Sequence, residues 1–206
     1  SKRTVSVSPI AGESGSTTIT LTVSDGVQTS SSSFVVTVSP PPPPPPPVTT
    51  PETRQFSNST AIVIPDNGSN ASLYPSQINV SGVSGVISSV SVQLNGFSQV
   101  WANDMDVLLV SPTGQKLLLM SDVGTGVTTD ASFTFTDNAG SYLPESGGLF
   151  GGTFKPTNYH ETPDDFASPA PAGPYGTSFS AFQGQNPNGT WALYVRDSGA
   201  GVSRRF

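Results

Sequence analysis

Read for its apolar and polar positions, the chain falls into short alternating or wholly apolar segments divided by turn residues. The two most apolar segments are Met105-Asp106-Val107-Leu108-Leu109-Val110 and Lys116-Leu117-Leu118-Leu119-Met120, with Ser111-Pro112-Thr113-Gly114 between them. Proline suits the first central position of a turn and glycine its last, so the spacing predicts a β-hairpin. Neither segment alternates cleanly. Apolar groups on both faces of a strand place it in the middle of a sandwich or against another domain.

Other segments do alternate. Ile19, Leu21 and Val23 face one way against Thr18, Thr20 and Thr22, and Val90, Val92 and Leu94 oppose Ser89, Ser91 and Gln93. Trp191, Leu193 and Val195 repeat the pattern, so Trp191 is expected to be buried. The predicted strands are Thr4–Val7, Thr18–Val23, Phe34–Val38, Ala61–Ile64, Ser76–Val80, Val86–Leu94, Met105–Val110, Lys116–Met120, Ser132–Thr136, Phe179–Phe182 and Thr190–Val195. Ser24-Asp25-Gly26 predicts a turn after the second of these. A long irregular segment separates Asn138 from Ser178, and Phe150, Phe154, Tyr159 and Phe166 are expected to pack it down.

Composition agrees with an all-β class. Only 11% of the 206 residues are charged, while Gly 21 and Pro 20 accompany abundant Ser, Thr, Val and Asn. A formal net charge of −6 argues against binding a nucleic-acid backbone, which needs lysine and arginine to displace counterions. With no cysteine, disulfides, thiol nucleophiles and Cys-ligated zinc are excluded. No apolar run has the length of a membrane span, and the N-terminus lacks the layout of a signal peptide.

The pattern also divides the chain. Residues 1–39 hold three alternating segments, about half of an immunoglobulin-type sandwich, whose first strands are expected to precede residue 1. Pro40–Pro47 is unbroken proline, expected to form a polyproline II spacer of roughly 25 Å within a linker over 40–55. A ligand for proline-recognition modules is the alternative reading of that run. Residues 56–206 read as a larger β domain.

Two stretches carry candidate chemistry. Asp104 and Asp106 are two apart, so on an extended strand both carboxylates share a face and repel, a conflict that calcium would relieve with its appetite for oxygen ligands. Gly176-Thr177-Ser178 looks superficially like a serine-nucleophile motif, but a nucleophilic serine needs a histidine base, and the single His160 lies in the irregular loop. The chain is therefore expected not to be an enzyme. Asp164 and Asp165, with Glu161 and Glu145, make a second acidic patch that reads as a solvated loop face. Sequons at Asn58, Asn67, Asn70, Asn79 and Asn188 are expected from composition alone. Trp101 either lines a site or covers the core edge, and a carbohydrate-stacking platform is the alternative role for Trp101 and Trp191.

Two resemblances follow from the residues. Thr4–Gly12, Thr17–Val23, Ser24-Asp25-Gly26 and Ser33–Val38 resemble the C-terminal half of immunoglobulin- or cadherin-like repeats of bacterial surface and secreted proteins. Ile64-Pro65-Asp66, Ile78–Gly82, Asn103–Gly114, Phe135-Thr136-Asp137, Phe182-Gln183-Gly184 and Pro187–Asp197 together resemble the P domain, or P/Homo B domain, over about residues 56–198. That domain is the jelly-roll β-sandwich following the subtilisin-like catalytic domain in proprotein convertases and kexins.

The second resemblance implies a non-catalytic accessory domain of an exported multidomain protein, secreted or at the cell surface, that stabilises or regulates an adjacent serine endopeptidase. It implies calcium in some members, with Asp137 as third carboxylate beside Asp104 and Asp106 and Asp197 as a weaker candidate. The competing reading has Asp104 and Asp137 bonding backbone amides in turns. Family members finish with a further strand, and this chain instead ends Gly201-Val-Ser-Arg-Arg-Phe206, which predicts an unpaired edge beside Trp191–Val195. A docking surface, or the core that supports one, is placed on Met105–Met120. The alternative function is a free-standing adhesion or glycan-binding module.

Overall fold

The structure, a computed structural model, describes residues 4–40, 42, 51–65, 68–160 and 164–199. It forms two compact units, Ser1–Thr50 and Pro51–Phe206, and the described residues contain β-strands and two 3₁₀ turns without an α-helix. No helix is long and apolar enough to cross a membrane. The polyproline spacer, apart from Pro40 and Pro42, lies outside the described residues, as do Asp66, Glu161 and the C-terminal residues 201–206.

The first unit holds one antiparallel hairpin, β1 (Gly15–Ser24) and β2 (Thr29–Val38). Asp25 closes the turn by accepting from the amides of Val27 and Gln28 at 2.9 and 2.7 Å. One face carries a ladder of hydroxyls, Ser16–Thr37, Thr20–Ser33 and Thr22–Ser31. Cross-strand pairing puts Ile19 opposite Phe34 and Thr17 opposite Val36 on the other face. The predicted strand Thr4–Val7 does not form, because alternation alone supplies no partner for its backbone groups.

The second unit contains two sheets. The wider has the order β3 (Ser76–Val80), β10 (Gly189–Asp197), β5 (Met105–Val110), β6 (Lys116–Ser121), β9 (Thr157–Asn158). The narrower has the order β4 (Val92–Gln99), β7 (Thr128–Phe135), β8 (Gly152–Phe154). The main core joins Phe97, Phe133 and Phe135 of the narrow sheet to Val107, Leu109, Leu117 and Leu119 of the wide one. β5 and β6 form the predicted hairpin, closed by the Gly114 amide donating to the Ser111 carbonyl at 2.9 Å with Gly114 at φ 84°.

Why this hairpin is apolar on both faces is now visible. Leu108 and Leu118 point away from the main core into a second cluster with Tyr194 and Phe166, the last supplied by the irregular loop. The hairpin is thus core on both sides, its outer face covered by the chain's own irregular loop. A bulge interrupts the alternation: Val107 pairs with Met120 while Leu108 pairs with Leu118, so Leu119 is the extra residue. Leu119 and Met120 consequently both enter the main core, and Ser121 is turned to the outer face opposite Asp106.

Several predicted elements differ. β10 lies between β3 and β5, so Trp191–Val195 is interior to its sheet and not beside an unpaired edge. Trp191 is half-buried, its Nε1 donating to the Pro187 carbonyl at 3.0 Å. Phe179–Phe182 is a 3₁₀ turn and not a strand, since its N-terminal amides are captured by a carboxylate. Ala61–Ile64 stays irregular, and only the last three residues of Val86–Leu94 enter β4, because Ile87 exchanges backbone bonds with Gly184 and Gln185. β8 and β9 were not foreseen. They are two or three residues long, below the length at which alternation is legible.

Candidate functional site

The Asp106 carboxylate is buried and shares a serine hydroxyl with a second acid. It sits on β5, almost fully buried, opposite Arg196 in the register of β10. Because the bulge re-aims Ser121, the Ser121 Oγ lies 2.7 Å from Asp106 Oδ1, and the covering loop brings Asp164 Oδ1 to 2.6 Å from the same atom. Asp122 Oδ2 stands 3.3 Å away on a residue held at φ 56°. Asn158 of β9 donates to Asp164 Oδ2 at 3.0 Å, which fastens the loop a second time.

A serine hydroxyl carries one proton, so it cannot donate to all three carboxylates at once. Burial pushes the Asp106 carboxyl up to about 6, against the opposing pull of the Ser121 hydrogen bond, with the charges of Asp164 and Asp122 adding to the rise. Burial likewise raises Asp164, assisted by Asp122. A proton on Asp106 completes the bonding: the carboxyl donates to Ser121 and the hydroxyl donates onward to Asp164.

The three carboxylates expected to hold calcium each have protein partners in the structure. β5 begins at Met105, so Asp104 belongs to a 3₁₀ turn and the shared strand face assumed for Asp104 and Asp106 does not extend to it. The Asp104 carbonyl accepts from the Ser198 amide at 2.6 Å, and its carboxylate accepts from Asn103 Nδ2 at 3.0 Å. Asp137 accepts from the Phe179 and Ser180 amides at 3.0 and 3.1 Å and from Ser178 Oγ at 2.8 Å. Its oxygens are directed at a turn, which matches the backbone-bonding alternative. Asp197 accepts from the Gly199 amide at 2.9 Å. Asp106, Asp122 and Asp164 have the donor chemistry of a calcium site, but the Ser121 hydroxyl fills the point between them. Among the described residues no group of three or more His, Cys, Asp or Glu side chains is arranged around a metal position.

Ser178 has a structural duty as well, since its hydroxyl both donates to Asp137 and accepts from the Ser180 amide at 3.2 Å. His160 lines a separate cleft of about 550 Å³ on the outer face of the wide sheet, with Asp164, Asp165, Phe166 and Tyr175 on its walls. Asp164 and Asp165 both line that cleft, and Asp164 is in addition tied to the sheet through Ser121. Only the convergence of β5, β6 and the loop reveals this, because Asp122 and Ser121 carry no sequence signal of their own. Trp101 remains 50% exposed, and Phe150 is 81% exposed and does not pack the loop, a role taken by Phe166. No family model, curated protein or solved structure matches the chain.

Proposed function

We propose that residues 51–206 are a non-catalytic accessory β-sandwich of the P-domain kind, a jelly roll within an exported multidomain protein, that stabilises or regulates a subtilisin-like serine endopeptidase in the same parent chain. One observation carries the reading. The separate motifs that resemble the P domain, Ile78–Gly82, Asn103–Gly114 and Pro187–Asp197, supply β3, β5 and β10, which are neighbours in one sheet although far apart in sequence. A crossover that lays the last strand between the first and the hairpin is the kind of connection Greek-key sandwiches use.

The hydrogen bonding of Ser178 supports the non-catalytic part, because its hydroxyl holds a turn together with Asp137. In this reading the second unit is an accessory body whose buried acid group fastens its covering loop. The test is made on the full parent chain, with and without residues 51–206, by following peptidase activity after heating. Deletion is expected to shorten the half-life of activity severalfold. Equal half-lives and equal specific activity in the two proteins, or a parent chain with no serine peptidase, would overturn the proposal.

A further inference from the structure

The second unit carries a small cleft of about 260 Å³ beside the acid group, with which it shares Asn158, lined by Tyr142, Pro156, Thr157, Asn158, Tyr159 and Thr177. None of these side chains is charged, in a chain with a net charge of −6. The two tyrosines are the chief apolar surface there, and both are open to solvent, Tyr142 by 58% and Tyr159 by 39%. Exposed aromatic rings beside hydroxyl and amide groups offer one apolar platform and a polar rim.

The platform is held by the backbone. Residues 141–143 run alongside 155–157: the Lys155 amide donates to the Ser141 carbonyl at 2.8 Å, and the Leu143 amide donates to Thr157 Oγ1 at 3.1 Å. Tyr142 pairs with Lys155 in a parallel bridge, and the Lys155 ammonium stands 5.5 Å from the centre of the Tyr142 ring. The Tyr159 hydroxyl donates to the Leu143 carbonyl at 2.7 Å, which fixes the second ring relative to the first. Asn158 belongs to β9, bonded to β6 in the wide sheet. Two rings fixed on sheet-anchored segments lose little freedom on binding.

We infer that this cleft binds a neutral sugar ring, one pyranose unit of a glycan, stacked on Tyr142 and Tyr159 with its hydroxyls meeting Thr177 and Asn158. The apolar C–H face of a pyranose matches an aromatic ring, and its hydroxyls each donate and accept. A threonine hydroxyl does both, and the Asn158 amide keeps bonding capacity beyond its bonds to Asp164 and the His160 amide. The lining side chains themselves carry no charge, which favours a neutral polyol over an ionic ligand. A cleft somewhat below the usual range for drug-sized ligands suits one ring rather than an extended chain. The inference does not depend on the accessory-domain reading.

The test is affinity electrophoresis of the full chain in gels containing soluble β-glucan, mannan, xylan or glycol chitin. At least one of the four is expected to retard the protein. Tyr142→Ala is expected to weaken that retardation at least about tenfold, Tyr142→Phe to preserve it, and Thr177→Arg, which fills the cleft from its other side, to abolish it. Thermal melting run in parallel separates lost binding from lost fold. Trp101→Ala, on a ring that does not line the cleft, is expected to bind like the parent. No retardation by any of the four glycans overturns the assignment, as does a Tyr142→Ala protein that binds like the parent.

Discussion

Asp106 and Asp164 face one another across the hydroxyl of Ser121, whose Oγ lies 2.7 Å from one carboxylate and 2.6 Å from the other. The arrangement ties β5, β6 and the covering loop at one point, and it is complete only when an extra proton is present. Its consequence is a stability that depends on pH with a defined sign. The folded Asp106 carboxyl is raised from its ordinary 3.8 to about 6, chiefly by burial, so folding favours the protonated form. The contribution of this group is full below the unfolded value and is lost as pH rises through about 6. Melting temperature is therefore expected to fall as pH rises from about 4 to about 6 and to level off above about 7. Asp106→Asn, neutral throughout, is expected to flatten that slope and to melt higher than the parent at about pH 7.5, by up to about 3 kcal/mol in stability. A variant that melts lower there, with the parent's slope, contradicts the account.

The covering loop is held by apolar packing as well as by Asp164. Phe166 is buried in the outer cluster with Leu108, Leu118 and Tyr194. Phe166→Ala is expected to open this segment to limited proteolysis between residues 164 and 178 while the sandwich core stays folded. Leu118→Ala, which leaves a void beneath the same loop, is expected to cost about 2–4 kcal/mol. If the cleavage pattern of Phe166→Ala equals that of the parent, the loop is secured by something other than this cluster.

Asp137 tests the choice between an ion ligand and a turn cap. It accepts two backbone amides and one hydroxyl at the start of the 3₁₀ turn Phe179–Phe182. Asp137→Ala is expected to lower stability by about 1–2 kcal/mol, equally in calcium and in chelator. A loss seen in calcium alone would return Asp137 to the role of ligand.

Two glycines make a matched pair for measuring close packing. A Cβ at Gly126 would stand 2.7 Å from the Gly148 amide nitrogen and 2.9 Å from the Gly147 carbonyl carbon, and backbone atoms cannot step aside cheaply. At Gly140 nothing lies within 4 Å. Gly126→Ala is expected to cost about 1–3 kcal/mol by denaturant unfolding, and Gly140→Ala to stay within about 0.5 kcal/mol of the parent. Similar values for the two would show that the 126–128 and 147–149 segments are looser than their bonding implies.

By itself the sequence determined the strand-forming character of the chain and its strongest local elements. β3 and β5 begin and end where the pattern puts them, and the Ser111–Gly114 turn closes as its proline and glycine require, because side-chain period and turn chemistry are local properties. The Asp25 turn is equally local. What the tertiary structure decided is everything that depends on a partner distant in the chain. Thr4–Val7 and Ala61–Ile64 have strand-like patterns and, among the described residues, no strand paired with them, whereas β8 and β9 are too short to show a pattern and form because β7 and β6 offer edges. The acid group belongs to the same class. Asp106 was legible as an acid in an apolar strand, but its company was not, since a bulge one strand away turns Ser121 outward and a loop more than forty residues on delivers Asp164. Local pattern fixes which residues face a core, and only the packed sheet decides which of them meet.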